Sequence, residues 1–215
     1  MNNSILNTFF ERYNQLLSVK EDIISAYELM ENAYTQNNKI LIAGNGGSAA
    51  DASHIAGELM KCFRLPRPVD SSFADKLRKV DSTKGELLTE LLETPLRAIS
   101  LTDMDALSTA YINDRAAETV FAQKLFGLAD KDDVFLGITT SGNSKNVVLA
   151  AITAKAMGVK VIALTGAKGG EIEKYADITV KVPETETFMI QELHLPIYHF
   201  WCQMLEDRFF GKEKQ

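Results

Sequence analysis

Residues 43–60, AGNGGSAADASHIAGELM, place a glycine-rich stretch directly ahead of a histidine and a glutamate four positions apart. Glycines at a helix start let backbone N–H groups close on an anion, above all a phosphate. His54 and Glu58, at i and i+4, share one helix face and can hold a metal or hydrogen-bond each other. An ordinary surface pair is the plain alternative. Together the two features predict a phosphorylated substrate whose reactive end lies near His54 and Glu58.

A second loop of this character, TTSGNS (139–144), follows the apolar run DVFLGI and brings four hydroxyls around Gly142. A helix beginning there offers free N–H groups and a positive dipole end, which suit a dianion. Helix capping also selects Ser and Asn, but four hydroxyls exceed what one cap needs. The loop lacks the lysine of a Walker A motif, so a sugar phosphate held without magnesium fits it better than a nucleotide. The first loop does satisfy G-x-G-x-x-A through Gly44, Gly46 and Ala49. A dinucleotide site would also need a strand ending in Asp or Glu roughly 20 residues on. That region reads KCFRLPRPVD, basic and broken by proline, and no nucleotide cofactor is expected.

Both loops need strands and helices to aim them. KILIAG (39–44), LRAISL (96–101), DVFLGIT (133–139), KVIALTG (160–166) and DITVKVP (177–183) are short apolar runs that predict strands. Helical spacing runs through 5–36, as one or two helices, and through 47–61, 104–127, 144–157, 170–176 and 187–210. Strands alternating with helices predict an α/β fold with a parallel sheet covered on both faces. Ligands in such sheets bind beyond the carboxyl ends of the strands, where both loops fall. Residues 66–94 break the alternation: they are charged and polar, with leucine pairs at 87–88 and 91–92. They predict an insertion with one or two short helices, solvated, with a subunit contact or lid as the alternative. No repeat or low-complexity linker divides the chain, so one domain is expected over 1–215. It would comprise N-terminal helices (1–37), the insertion (66–94) and a C-terminal helix (187–210).

Composition narrows the function class. A chain of 215 residues with 46% apolar and 24% charged residues is an ordinary globular protein. Its net charge of −6 argues against a nucleic-acid partner, which calls for a basic face. No apolar run approaches the roughly 20 residues that span a bilayer, so no membrane association is expected. The start MNNSILNTFFERYNQ does not read as a secretory leader, and a cytoplasmic protein is expected. Cys62 and Cys202 lack CxxC spacing, which speaks against a disulfide framework or a cysteine zinc site.

Four stretches, AGNGGSAADASHIAGEL, GITTSGNSKNV, VIALTGAKGG and IQELHLPIYH, together resemble the phosphoheptose isomerases, a branch of the sugar isomerase (SIS) superfamily. The resemblance covers nearly the whole chain in order, apart from the insertion. It implies an SIS-type three-layer αβα sandwich with a five-stranded parallel sheet, in a homotetramer with active sites near subunit interfaces. The implied reaction interconverts sedoheptulose 7-phosphate and D-glycero-D-manno-heptose 7-phosphate. Ser48, Thr139, Thr140, Ser141 and Ser144 match phosphate-binding positions. Asn45, Gly46, Gly47, Glu58, Asn113, Asp114 and Gln191 match substrate-contacting ones. Glu58 and His199 match the catalytic pair, and His54, Glu58, Gln191 and His199 the zinc ligands of some members. Where relatives often carry arginine just before I-Q-E, this chain has Met189, preceded by Phe188.

Moving a proton between C1 and C2 through an enediol needs a base at carbon, an acid at oxygen and stabilisation of the oxyanion. Glu58 suits the carbon base, since desolvation strengthens a carboxylate as a base. His199 suits the oxygen acid, since imidazole titrates near neutrality. A packing or interface role is expected of His194, the third histidine. Gln191 and His199 lie eight residues apart, about 12 Å along a straight helix, too far to share one zinc easily. A kink at Pro196, an unwound first turn or sites on different subunits would each resolve the conflict. A non-catalytic phosphosugar-binding or replication-initiator-binding protein of this fold is the other class of reading, and an isomerase of another sugar phosphate a third. Retention of both Glu58 and His199 favours the enzyme.

Overall fold

The computed structural model describes residues 2–211. Five parallel strands, β1 (Ile40–Ala43), β2 (Ala98–Ser100), β3 (Val134–Ile138), β4 (Lys160–Thr165) and β5 (Ile178–Lys181), form one sheet in the order β2-β1-β3-β4-β5. Each predicted strand is present, trimmed by no more than two residues at either end. Buried on both faces, these strands read as continuous apolar runs rather than alternating ones.

Successive residues of each strand face opposite sides, and this divides the interior into two cores. Ile40, Ile42, Val134, Leu136, Ile138, Ile162 and Leu164 pack on one side with α1 (Asn3–Arg12), α2 (Lys20–Thr35), α3 (Gly47–Met60) and α9 (Thr187–Phe210). Leu41, Ala43, Phe135, Val161 and Ala163 pack on the other with α7 (Val120–Leu128) and α8 (Lys145–Ala156). The result is the three-layer αβα sandwich with an added N-terminal helical segment. Trp201 ties α9 to α2 by donating from Nε1 to the Ile23 carbonyl at 2.9 Å. No helix among the described residues is long and apolar enough to cross a membrane.

The insertion folds as a helical hairpin, α4 (Ser71–Val80) and α5 (Ser82–Leu91). Asp70 and Asp81 cap the two helices, accepting from Phe73 N and from Thr83 N and Lys84 N. Three predicted helices differ in detail. Residues 104–127 do not form one helix: α6 (Asp105–Asp114) stops at Arg115, and α7 begins after a 3₁₀ turn at Ala117–Thr119. The 170–176 segment contracts to a 3₁₀ turn, Glu171–Lys174, and 5–36 is interrupted by another at Asn14–Val19. The predicted 187–210 helix is present over its full span, with Pro196 inside it.

His194 is wholly buried on α9, and neither ring nitrogen has a well-formed hydrogen bond, although the Thr165 backbone is close enough to favour the charged ring slightly. Burial pushes its pKa down to about 4. The unfolded chain therefore binds a proton near pH 6.5 that the folded chain refuses until about pH 4. Stability is full above the unfolded value and falls as pH drops through that window, by about 3 kcal/mol at 1.4 kcal/mol per unit. Urea unfolding at pH 7 and pH 4.5 is expected to show this loss, and His194→Leu to remove most of it. An identical pH slope in the variant would place the loss elsewhere.

Candidate active site

The strand order turns back on itself between β1 and β3, and a parallel sheet opens a ligand crevice at such a switch point. The two loops that leave β1 and β3 there are the two glycine-containing loops of the sequence. They meet in a pocket of about 340 Å³ lined by Asn45, Gly46, Gly47, Ser48, Ile138, Thr139, Thr140, Ser144, Thr187 and Gln191. The N-termini of α3 and α8 both open toward it, so two sets of free N–H groups and two positive dipole ends address one volume.

The local backbone explains the residue types. Gly46 takes φ +55° and ψ −121° at the start of α3, a conformation closed to side chains, and no side chain caps that helix. Ser144 occupies the N-cap position of α8, yet its hydroxyl pairs with Thr139 Oγ1 at 2.9 Å instead of capping. Capping therefore does not account for this serine. Asn45 and Asn146 exchange two amide hydrogen bonds of 2.9 and 2.8 Å, which tie the first loop to α8.

Gly142, at φ +70°, faces the backbone of Gly169, and a methyl group there would collide with the Gly169 carbonyl. Ile172 N donates to Gly142 O at 3.0 Å and Glu171 N to Asn143 Oδ1 at 2.9 Å. Gly142→Ala is expected to add about 1–2 kcal/mol of backbone strain and to force the two loops apart. Isothermal titration should then show phosphosugar affinity at least tenfold weaker, the equivalent of about 1.4 kcal/mol. Unchanged affinity would mean that this loop does not hold the phosphate.

Further along α3 and α9, in the direction away from the loops, stand the acid–base candidates. His54 Nε2 lies 3.4 Å from Glu58 Oε1, and Lys61 Nζ lies 3.7 Å from Glu58 Oε2. The His199 ring stands edge-on to His54, with centroids 5.1 Å apart, and is tilted against Phe63 at 5.6 Å. Burial and the neighbouring His54 lower the His199 pKa, with Glu58 opposing, so its neutral form prevails near neutrality.

The sequence assignments thus fall into separate places. Asn45, Gly46, Gly47, Ser48, Thr139, Thr140, Ser144 and Gln191 share the loop pocket. Ser141 lines an adjoining depression with Asn143 and Lys168. His54, Glu58 and His199 cluster beyond. Asn113 and Asp114 stand exposed at the end of α6, paired with each other at 2.8 Å, and do not line the pocket. Gln191 lies in regular helix with its amide against Gly47, so the unwound-turn expectation does not hold.

Two imidazoles and a carboxylate suit zinc, and the facing acceptors of His54 and Glu58 fit a cation between them. As the side chains stand, no three His, Cys, Asp or Glu among the described residues converge on one ion. Sequence reasoning passed over Thr187 and Asn146. Thr187 opens the C-terminal helix, and its position at the helix start was the available signal.

Two family models, each described as an SIS domain, match residues 8–110 and 108–202. The phosphoheptose isomerase of Akkermansia muciniphila is 34% identical over 201 residues, covering 94% of this chain and 93% of the relative. That of Helicobacter pylori strain P12 is 39% identical over 198 residues, covering 92% and 89%. The chain belongs to the phosphoheptose isomerase family. The structure of the phosphoheptose isomerase GmhA from Neisseria gonorrhoeae superposes with a TM-score of 0.72 at 31% identity, covering 95% of this chain and 98% of that one. The phosphoheptose isomerase from Francisella tularensis gives 0.75 at 28%, covering 96% and 99%. Family membership accounts for the SIS sandwich.

Proposed function

We propose that this protein is a cytoplasmic ketose–aldose isomerase acting on sedoheptulose 7-phosphate, assembled as a homotetramer. The observation that carries the reading is the arrangement along α3. Ser48 sits in the anion pocket, and His54 and Glu58 follow it by about 9 and 15 Å of helix axis, an interval that an extended phosphosugar can span. The phosphate rests on the loop N–H groups and the hydroxyls of Ser48, Thr139, Thr140 and Ser144, with no lysine needed. Glu58 takes the proton from the carbon beside the carbonyl and returns it to the neighbouring carbon. His199, neutral at working pH, passes a proton between the two oxygens of the enediol. Gln191 orients the sugar between phosphate and reaction centre. His54 and Glu58 would hold zinc, which would polarise the carbonyl as a Lewis acid.

Incubation with sedoheptulose 7-phosphate in deuterated water tests this directly. Deuterium is expected to enter the sugar at the carbon that exchanges its proton, together with formation of the aldose. No exchange under conditions where the sugar phosphate demonstrably binds, with and without added zinc, would favour the binding-protein reading instead.

A further inference from the structure

The helical hairpin of the insertion takes no part in the candidate active site. Its helices α4 and α5 pack chiefly on each other, and no residue of either lines the phosphate pocket. Its charged composition predicts a solvated excursion. The hairpin nonetheless leaves six large apolar side chains 41–87% exposed: Phe73, Val80, Leu87, Leu88, Leu91 and Leu92.

These side chains gather on one side. Phe73 and Val80 are seven positions apart on α4, and the four leucines fill one face of α5 and its end. Phe73 and Leu92 line a shared groove of about 300 Å³ with Val69 and Pro95, which joins the two stripes. Together they expose roughly 600 Å² of apolar surface, as large as the largest patches on typical monomers. That is most of the about 800 Å² that each partner buries in a standard interface.

The charges around this face indicate what covers it. Arg78 pairs with Asp75 and Glu86 inside the hairpin, which leaves Lys76 and Lys79 of α4 and Lys84 and Glu90 of α5 without an ion pair among the described residues. Lys76 borders the α4 stripe, three positions after Phe73, and Glu90 borders the α5 stripe, three positions after Leu87. We infer that this face is a self-association surface, on which the hairpin of a second copy lies across a two-fold axis parallel to the helices. That axis sets α4 of each copy antiparallel to α5 of the other in a four-helix bundle. Each Lys76 edge then meets a Glu90 edge, and the leucines close on the Phe73–Leu92 groove. Setting α4 on α4 would instead oppose like charges. Lys84 stands near the turn between the helices, where its long stem carries the charge to water. The inference deepens the homotetramer reading, on which it rests for a second copy, and needs nothing of the chemistry.

The test is sedimentation velocity of the full chain over a concentration series, with wild type beside the double variant Leu88→Glu, Leu91→Glu. Both side chains are exposed in a single copy, and circular dichroism checks that the variant folds. The expected wild type is a tetramer that the variant reduces to dimers, with self-affinity at this contact weaker by about a hundredfold or more. A wild-type dimer that the variant renders monomeric would support the hairpin contact and strike the tetramer. A tetramer unchanged in the folded variant overturns the inference and leaves the homotetramer standing, whereas a monomeric wild type overturns both. Carbodiimide cross-linking of wild type decides the matter even where the variant fails to fold. The dimer band of a denaturing gel is expected to hold a peptide joining Lys76 to Glu90 of the other copy, and its absence there overturns the inference.

Discussion

Glu58→Gln is expected to lower kcat by about 10²–10⁴-fold, the range for loss of a general base, with KM changed no more than a few-fold. Binding and chemistry are physically apart here. In the proposed reading the phosphate rests on loop backbone and hydroxyls at the N-terminus of α3, while Glu58 stands in the last turn of that helix. The substitution keeps side-chain shape and removes only the capacity to accept a proton from carbon. Glu58 is largely enclosed, with a side chain 16% exposed, so water is a poor replacement for it. Steady-state kinetics alongside deuterium incorporation separates the outcomes. A drop in kcat with exchange abolished fits a carbon base. A rise in KM with kcat intact would reduce Glu58 to a contact that binds ground and transition states alike.

The sheet and both loops were legible because their residue types answer to local rules. A buried strand must be apolar on both faces, and a turn such as that at Gly46 or Gly142 admits only glycine comfortably. The 104–127 break was not legible. Its apolar spacing continues through Arg115, but α6 buries none of its residues, whereas α7 buries Val120, Phe121 and Leu125 against the sheet. Periodicity records that a face is apolar and not where that face turns. Tyr198 was hidden for a related reason: an aromatic residue at helical spacing reads as core, and it is core by burial. Its hydroxyl reaches Asp51 Oδ1 and His54 Nδ1, each at 3.1 Å, only because α9 crosses α3 there, a contact across 147 positions of sequence for Asp51. Glu206 escaped notice likewise, as one more acid near the end of a largely apolar helix.

Glu206 is the second position where a large effect is expected, and there the measured quantity is stability. Its side chain is 1% exposed beside the fully buried Arg67 guanidinium, with Arg67 Nη2 at 2.8 Å and Nε at 2.9 Å from Oε1. The carboxylate also accepts from three consecutive backbone groups: Phe63 N at 2.7 Å, Arg64 N at 2.7 Å and Leu65 N at 3.0 Å. Arg67 in turn donates to the Leu59 carbonyl at 2.7 Å and stacks over Phe210 at 4.8 Å. This one carboxylate therefore joins α9 to the exit of α3, within a turn of Glu58. Glu206→Leu leaves a buried cation without its counter-charge and three N–H groups without an acceptor, and should cost about 3–5 kcal/mol. At 2–4 °C per kcal/mol for a chain of this size, the melting temperature falls by roughly 6–20 °C. Arg67→Met is expected to cost less, because the three N–H groups still neutralise the carboxylate. Urea unfolding of both variants at one protein concentration measures the difference. Equal costs would mean that the ion pair alone holds this junction, and a Glu206→Leu protein as stable as wild type would remove the junction from any account of how α3 presents Glu58.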